Sequence, residues 1–301
     1  MDVKDLSWFP GHMAKTLRSI AERLPQVDVV LETCDARIPH SSRNPELDRI
    51  LGTKPRVVVL NKADLAEETW TRAWVRALET SSCAAIPVDS LHRSGLDRVR
   101  NAAADLCAGR IERAAERGRI FRPVRAMVVG IPNSGKSTLI NALSGRKAAR
   151  TEDRPGVTRG AQWIRGEGPL ELMDMPGVLW PNLGSDFRRL RLAATGAVRD
   201  EVVSTEDLAE GLVGLLAARY PDRLRARYKL EDLSLPAFEL LEAAARKRGC
   251  LLPGNRADLS RFCAILLDEF RGGVLGRMTL ETPDDIGADR IAPAVLPEAG
   301  D

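Results

Sequence analysis

The order of its nucleotide-binding motifs constrains this 301-residue chain more than any other feature. Residues 130–137 fit the pattern G-x4-G-K-[ST] of a phosphate-binding loop. The tetrapeptide Asn-Lys-Ala-Asp at 61–64, typical of guanine recognition, precedes that loop, although in an ordinary domain of this kind it follows. Asp-Met-Pro-Gly at 174–177 comes after the loop, as usual. Opening such a domain elsewhere and joining its old ends gives this order, so the sequence predicts a circularly permuted P-loop domain.

Short apolar runs alternate with helical patterns between residues 27 and 180, which predicts βα units and a mostly parallel sheet. The predicted strands cover 27–34, 56–60, 84–88 and 124–129, and the predicted helices cover 69–80, 96–116 and 136–143. Ligands of such sheets bind beyond the carboxyl ends of the strands, where most of the motifs fall. The predicted fold class is therefore α/β, with a permuted GTPase domain over residues 1–186.

From residue 187 the pattern becomes helical and contains no nucleotide motif. Helices are predicted at 190–195, 205–220, 236–248 and 258–270. We therefore expect a small all-α domain over residues 187–280. Residues 281–301 are rich in Pro, Asp and Ala, and this acidic tail is expected to be disordered.

Charge is unevenly distributed along the chain. The tail carries a net charge of −5, which leaves the rest at +8, since the whole chain carries +3. A positive body suits a polyanionic partner such as RNA, although an arginine-rich proteome would give the same balance. The five cysteines show no Cys-x-x-Cys pair, and no stretch resembles a signal peptide or a membrane span of about 18 apolar residues. We expect reduced thiols, a cytoplasmic location and no membrane or DNA partner.

The phosphate-binding loop predicts how the phosphates of a nucleotide are held. Its backbone N–H groups surround the β-phosphate, and the following helix adds the partial positive charge of its N-terminus. Lys136 is predicted to reach the β- and γ-oxygens as a catalytic group, and the Ser137 hydroxyl to bind Mg²⁺. The predicted nucleotide contacts in this segment are Asn133, Ser134, Gly135, Lys136, Ser137 and Thr138.

The tetrapeptide at 61–64 selects guanine over adenine. Asp64 can accept hydrogen bonds from N1–H and the 2-amino group of guanine, a pair that adenine does not offer. Asn61 is predicted to brace the loop and approach N7, with the stem of Lys62 along the base face. A further base-supporting element should follow the strand at 84–88, where Asp89 and Ser90 stand without the usual Ser-Ala pair.

Residues 174–177 and the segment before them predict the remaining phosphate and metal contacts. Asp174 is expected to hold Mg²⁺, and the Gly177 N–H to contact the γ-phosphate. Thr158 is the candidate switch threonine for Mg²⁺ and the γ-phosphate. Val178 stands where Ras-like enzymes carry a glutamine that orients water, so another group must help. His12, after a Pro-Gly turn, is a candidate, with a structural role as the alternative.

With these motifs placed, residues 7–283 resemble the ribosome biogenesis GTPase A family. The resemblance rests on the motif order together with Trp-Phe-Pro-Gly-His-Met at 8–13, Asp-Ala-Arg-Ile-Pro at 35–39 and Phe-Arg-Gly-Gly-Val-Leu-Gly-Arg at 270–277. It implies a GTPase that docks on a late precursor of the large ribosomal subunit in its GTP state and leaves after hydrolysis. It further implies a catalytic role for His12, rRNA contact by the helical domain, and a K⁺ beside Asn133.

Two other functions remain open at the level of sequence. A P-loop kinase or ATPase would share the phosphate loop, but the residues at 61–64 argue against it. A signalling GTPase or nucleotide-dependent scaffold with a non-ribosomal partner would share every nucleotide residue. The basic residues between 219 and 229 favour RNA contact, with a solvated helix end as the alternative.

Overall fold

A mostly parallel sheet lies at the centre of the described part of the chain. The computed structural model describes residues 11–116, 122–147, 149, 162–181, 183–198 and 203–288, with the backbone alone at 11, 12, 110–116, 287 and 288. The strands of the sheet are β1 (Val29–Asp35), β2 (Arg56–Asn61), β3 (Cys83–Val88), β4 (Val124–Gly130), β5 (Gln162–Arg165) and β6 (Leu170–Asp174). Their order is β3-β2-β1-β4-β6-β5, and only β5 at one edge runs antiparallel to its neighbour. The predicted α/β class is confirmed.

Among the described residues, five α-helices accompany the sheet before and between its strands. They are α1 (Gly11–Arg23), α2 (Pro45–Leu51), α3 (Glu68–Leu78), α4 (Leu96–Glu116) and α5 (Lys136–Ser144). Every residue of β1 and β2 is buried, because parallel strands covered on both faces present apolar side chains in both directions. One apolar cluster contains residues of α4, α5 and the sheet, and a smaller one packs Trp74 of α3 against Val58 and Leu60.

The strand register brings the carboxyl ends of separate strands to one edge. Asp35 at the end of β1 pairs with Asn61 at the end of β2, and Asn61 pairs in turn with Val88 at the end of β3. Thr33 pairs with Gly130, where β4 gives way to the phosphate-binding loop. Segments that are far apart in sequence therefore meet above a single edge of the sheet.

The residues after the sheet form a helical region. Its helices are α6 (Asp186–Ala194), α7 (Thr205–Arg219), α8 (Pro221–Tyr228), α9 (Ala237–Lys247) and α10 (Leu259–Arg271). The prediction of helices alone was incomplete, because β7 (Leu251–Leu252) and β8 (Arg256–Ala257) pair as a small antiparallel hairpin. Helix α7 packs against α6, α9 and α10. The apolar core of this region is continuous with Met127, Val129 and Met173 of the sheet.

The sequence-based prediction placed the start of the acidic tail too early in the chain. Glu281, its first predicted residue, is only 1% exposed and accepts a hydrogen bond from the Ser41 N–H at 2.9 Å. Its carboxylate also lies 3.3 Å from Arg191, and Asp285–Ala288 forms a short helix, α11. Burial raises the pKa of Glu281, against the lowering effect of Arg191. Residues 281–288 therefore belong to the packed structure, and the predicted tail from 289 to 301 lies outside the described residues.

The basic stretch around α8 is largely paired within the protein. Glu269 on α10 binds Arg227, accepts a hydrogen bond from the Tyr228 hydroxyl at 2.8 Å, and lies 2.9 Å from Arg248. The hydrogen bond from Arg227 is the largest cause that lowers the pKa of Glu269 to about 2. This carboxylate therefore stays ionised and holds the two arginines against the helical region.

Two further arginines of that stretch also have acidic partners. Arg219 lies 2.8 Å from Asp285, and Arg225 lies 3.1 Å from Asp222. Three of the basic residues in this stretch, Arg219, Arg225 and Arg227, are thus paired with carboxylates of the folded protein.

No helix among the described residues is long and apolar enough to cross a membrane. All five cysteines carry free thiols, as predicted.

Candidate nucleotide-binding site

The phosphate-binding loop connects β4 to α5 above the centre of the sheet. Ser134 is buried in it, and its hydroxyl lies 2.7 Å from the Thr33 hydroxyl of β1 and 2.9 Å from the Ile131 carbonyl. Asn133 has a left-handed backbone with φ of +56°. The loop is therefore attached to the neighbouring strand by side chains as well as by the sheet itself.

Lys136, at the start of α5, points its ammonium group back over the loop. Its Nζ donates to the Ile131 carbonyl at 3.0 Å, and the residue is buried. Burial lowers the pKa of Lys136 to about 8, only partly offset by the attraction of Asp174. A buried cation beside backbone N–H groups at a helix N-terminus is suited to binding a phosphate group.

Asn61 joins the guanine-type tetrapeptide to the phosphate-binding loop. Its Nδ2 donates to the carbonyls of Ser134 and Gly135 at 3.1 and 3.3 Å. Its Oδ1 accepts from the Ser90 hydroxyl at 2.7 Å and from the Ser90 N–H at 3.3 Å. One buried amide thus connects the ends of β2 and β3 to the loop after β4, including the base-supporting element predicted at Asp89 and Ser90.

Lys62 makes a second connection between the same two loops. Its backbone is left-handed, with φ of +57°. Its Nζ donates to the Asn133 carbonyl at 2.7 Å and lies 3.0 Å from Oδ2 of Asp35. The side chain therefore spans from the tetrapeptide to the phosphate loop.

Asp64 and Asp89 come together at the outer end of the site. One carboxylate oxygen of each and a ring nitrogen of His92 lie within 4.8 Å of one another. Asp89 accepts from the backbone N–H groups of Leu91 and His92 at 3.0 and 2.9 Å, and its Oδ2 lies 2.6 Å from Nδ1 of His92. Burial opposes the shift, but these hydrogen bonds from His92 and Leu91 hold the pKa of Asp89 below its usual range. The Asp89 carboxylate thus organises its own loop, and the half-buried Asp64 lies beside it.

The segment after β6 lies against the phosphate loop. Asp174 is only 1% exposed, and the Val178 N–H donates to the Gly130 carbonyl at 3.2 Å. A Cβ placed on Gly177 would lie 2.9 Å from Nζ of Lys136 and 3.1 Å from the backbone nitrogen of Pro132, so a larger residue would force the lysine or the loop to move. Val178 is fully buried in the core, and its carbonyl accepts from Asn44 at 3.2 Å. Its side chain has no group that could orient a water molecule.

The oxygen donors near the phosphate loop fit a small divalent cation. Ser137 is half-buried on the first turn of α5, and the buried carboxylate of Asp174 attracts the neighbouring Lys136 ammonium group. Hydroxyl and carboxylate oxygens are the ligands that Mg²⁺ prefers. Thr138 is half-buried on the same turn. Thr158 lies outside the described residues, and only the backbone of His12 is described, within α1.

A buried chain of ion pairs and hydrogen bonds extends from this site. The sequence had indicated no role for it. Asp35 holds Arg37 through both carboxylate oxygens, at 3.0 and 2.8 Å. Burial alone would raise the pKa of Asp35, but Arg37 and Lys62 outweigh it and hold the pKa well below its usual range. Arg37 in turn donates to the Phe270 carbonyl at the end of α10, at 3.2 Å. The Asp-x-Arg spacing at 35–37 was the available signal.

The helical region also contacts the phosphate loop directly. The side-chain amide of Asn133 donates to the Gly196 carbonyl at 2.6 Å. Arg271 fixes the preceding helix end by donating to the carbonyls of Ala193 and Ala194, each at 3.0 Å. Asn133 and Arg37 therefore both join the nucleotide loops to the helical region.

The guanine-type recognition loop precedes the phosphate loop in the chain, yet the two loops are hydrogen-bonded to each other in the structure. This protein is therefore a circularly permuted P-loop GTPase. Residues 125–218 match the family described as 50S ribosome-binding GTPase. Ribosome biogenesis GTPase A from Bacillus cereus is 42% identical over 282 residues, which cover 94% of this chain and 95% of the relative. The chain belongs to the ribosome biogenesis GTPase A family.

Two further relatives extend this comparison. Mitochondrial ribosome-associated GTPase 1 from Mus musculus is 39% identical over 217 residues, covering 68% of this chain and 65% of the relative. The GDP-bound structure of YlqF from T. maritima matches with a TM-score of 0.62 and 27% identity, covering 89% of this chain and all of that one. The similarity therefore includes the permuted domain and the helical region.

Proposed function

We propose that this GTPase is an assembly factor for the large ribosomal subunit, acting in the cytoplasm during late maturation. It binds the precursor subunit in its GTP state and leaves after hydrolysis. The observation that carries the nucleotide chemistry is the set of hydrogen bonds by which Asn61 closes the base and phosphate loops against each other. The names of the relatives, ribosome biogenesis GTPase A and mitochondrial ribosome-associated GTPase 1, support the ribosomal partner.

In this proposal, residues at one end of the site bind the guanine base, and residues at the other end bind the phosphates. Asp64 accepts from the guanine edge, Lys62 lies along the base, and the loop organised by Asp89 and Ser90 supports it. Lys136 and the backbone of residues 133–138 bind the phosphates, with Gly177 at the γ-phosphate. The positions of Lys62, Lys136 and Gly177 around the two loops support these assignments.

Mg²⁺ would be held by Ser137, Asp174 and Thr158, and when bound it would neutralise charge on the β- and γ-phosphates. K⁺ would bind beside Asn133, whose side-chain nitrogen already donates to Gly196. The chain's own residues then orient the phosphates for in-line attack by water. Because buried Val178 has no polar group, intrinsic hydrolysis should be slow, and the subunit should complete the catalytic site.

We further propose that the helical region, residues 187–280, contacts rRNA. Its direct bonds to the phosphate loop at Asn133 and to the ionic chain at Arg37 support a link between nucleotide state and this contact. Switch residues around Thr158 and Val178 would order with GTP and relax after hydrolysis.

GTP turnover with and without purified large ribosomal subunits tests the proposed function. With potassium and magnesium present, we expect large subunits to stimulate turnover strongly and small subunits to have no effect. The physical reason is that the chain lacks its own water-orienting group at Val178. Intact GTP binding without stimulation would contradict the ribosomal role and would favour a switch or scaffold with another partner.

His12→Ala tests the catalytic assignment in the same assay. The variant should lose subunit-stimulated hydrolysis, by about 100-fold or more if His12 acts as a general base or orients water. GTP affinity should not change, because Lys136 and the loop hold the phosphates. Full stimulated activity in this variant would remove His12 from the mechanism and leave it a structural role.

A further inference from the structure

An arginine-lined cleft lies beside the guanine-recognition loop, on the edge of the protein next to β3. Its volume is about 510 Å³. Arg72 and Arg76 reach it from α3, Arg98 from α4, and Arg277 from the segment that follows α10. Among the lining residues Glu68 is the one acidic side chain, so the cleft carries a net positive charge.

Most of the positive charges that line this cleft are not neutralised by ion pairs within the described part of the protein. Arg76, Arg98 and Arg277 are exposed, and none of them forms an ion pair with another described residue. Arg72 lies 3.2 Å from Glu68, and both side chains are about two-thirds exposed. An exposed pair of this kind contributes little and is easily exchanged for another partner. The guanidinium groups are therefore available to an external anion.

The cleft is preformed, because its parts are fixed to one another. The segment that carries Arg277 is tied to the recognition loop by a hydrogen bond from the Met278 N–H to the Leu65 carbonyl, at 2.9 Å. Thr279 accepts from the Glu67 N–H at 3.0 Å, and Trp74 donates to the Glu281 carbonyl at 3.1 Å. Arginines from distant parts of the sequence are thereby held on one surface without a ligand.

The arginines around α8 differ in this respect. There Arg219 and Arg227 are bound to Asp285 and Glu269, so a large part of that charge is already neutralised. In the cleft, three arginines from α3, α4 and the segment after α10 remain uncompensated. The cleft therefore offers more positive charge to a polyanion than the scattered positions of its arginines in the sequence indicate.

We propose that this cleft is a docking surface for the phosphate backbone of rRNA, a contact that rests on the proposed ribosomal function. Planar guanidinium groups bind phosphate oxygens through paired hydrogen bonds, which makes arginine suited to this partner. Arg72 and Arg76 are one helical turn apart on α3 and can contact successive phosphates along a strand. Backbone contacts of this kind position a protein on RNA without reading its sequence.

Charge reversal at the three unpaired arginines tests this assignment. The variant is Arg76→Glu, Arg98→Glu and Arg277→Glu in the full chain. Its matched control is Arg18→Glu, Arg49→Glu and Arg165→Glu, three exposed arginines that do not line the cleft. Affinity is measured over a range of salt concentrations, for purified large subunits and for their deproteinised rRNA, alongside affinity for GTP.

We expect the cleft variant to bind both large subunits and naked rRNA at least about 10-fold more weakly. The slope of log affinity against log salt should become shallower by about 2, since each lost phosphate contact contributes about 0.7. GTP affinity should be unchanged. The control should keep affinity close to that of the wild type.

The other outcomes overturn the proposal in distinguishable ways. Wild-type affinity in the cleft variant, or an equal loss in the control, would show that the cleft is not a specific contact. Weaker binding to subunits with unchanged binding to naked rRNA would assign the cleft to an acidic protein surface. If the wild-type protein itself binds no large subunits, the proposed function fails and this contact fails with it.

Discussion

Asp64→Asn should change the nucleotide preference of the protein from guanine to xanthine. The carboxylate of Asp64 can accept from both N1–H and the 2-amino group of guanine. An asparagine presents one N–H₂ group instead, which repels the 2-amino group but donates to the 2-oxo group of xanthine. A site built around such hydrogen bonds rejects the mismatched ligand by a factor approaching about 10⁴. Competitive binding of GTP and xanthosine triphosphate to wild type and variant measures the change.

Unfolding of the Asp64→Asn variant would not explain a change in nucleotide preference. Asp64 is half-buried at the end of the site, so its replacement by an isosteric amide should leave the melting temperature close to that of the wild type. Asp97→Asn, at the exposed start of α4, is the matched control and should keep the guanine preference. An unchanged preference in Asp64→Asn, or tight ATP binding by the wild type, would instead favour a kinase or ATPase.

Sequence alone predicted four of the parallel strands, because each contains a largely apolar run that leads into a motif. Two of the elements that the sequence did not predict, α2 and β5, escaped for physical reasons. Helix α2 has only seven residues, although Asn44 accepts from the Glu46 N–H at 3.0 Å and Pro45 begins the helix, which is a recognisable start signal. The edge strand β5 has four residues, three of them exposed, and so shows no buried run.

The candidate site likewise contains some contacts that the sequence predicts and others that it does not. Contacts within a motif, such as Lys136 over its own loop, follow from local patterns. The chain from Lys62 through Asp35 and Arg37 to Phe270 does not, because its last bond joins residues 233 positions apart. Which arginines are neutralised is likewise a tertiary property. For this reason the basic stretch near α8 attracted attention in the sequence, whereas the arginines of the cleft are scattered along it.

The bonds made by Asn61 suggest how strongly nucleotide binding depends on the two loops being closed. Four hydrogen bonds from one side chain connect Ser134, Gly135 and Ser90. Each is worth about 0.5–1.5 kcal/mol, so that displacing the amide would cost several kcal/mol in the geometry that GTP requires. A substitution that displaces Asn61 and removes no polar group probes this effect.

Gly135→Ala is that substitution. Gly135 has φ of +86°, and a Cβ there would lie 2.0 Å from Nδ2 of Asn61. The left-handed backbone costs an alanine about 1–2 kcal/mol, and the clash must in addition move Asn61 or the loop. We expect affinity for both GTP and GDP to fall by about 100-fold or more, which corresponds to about 3 kcal/mol. Isothermal titration of each nucleotide measures this loss.

Gly168→Ala separates the clash from the backbone strain. Gly168 has φ of +69°, but nothing lies within 4 Å of a Cβ placed there. Its substitution should therefore cost only the left-handed strain of about 1–2 kcal/mol in the free energy of unfolding, with nucleotide affinity retained. If Gly135→Ala instead binds GTP as tightly as Gly168→Ala does, the loops tolerate displacement of Asn61, and closure by this side chain is not what organises the nucleotide site.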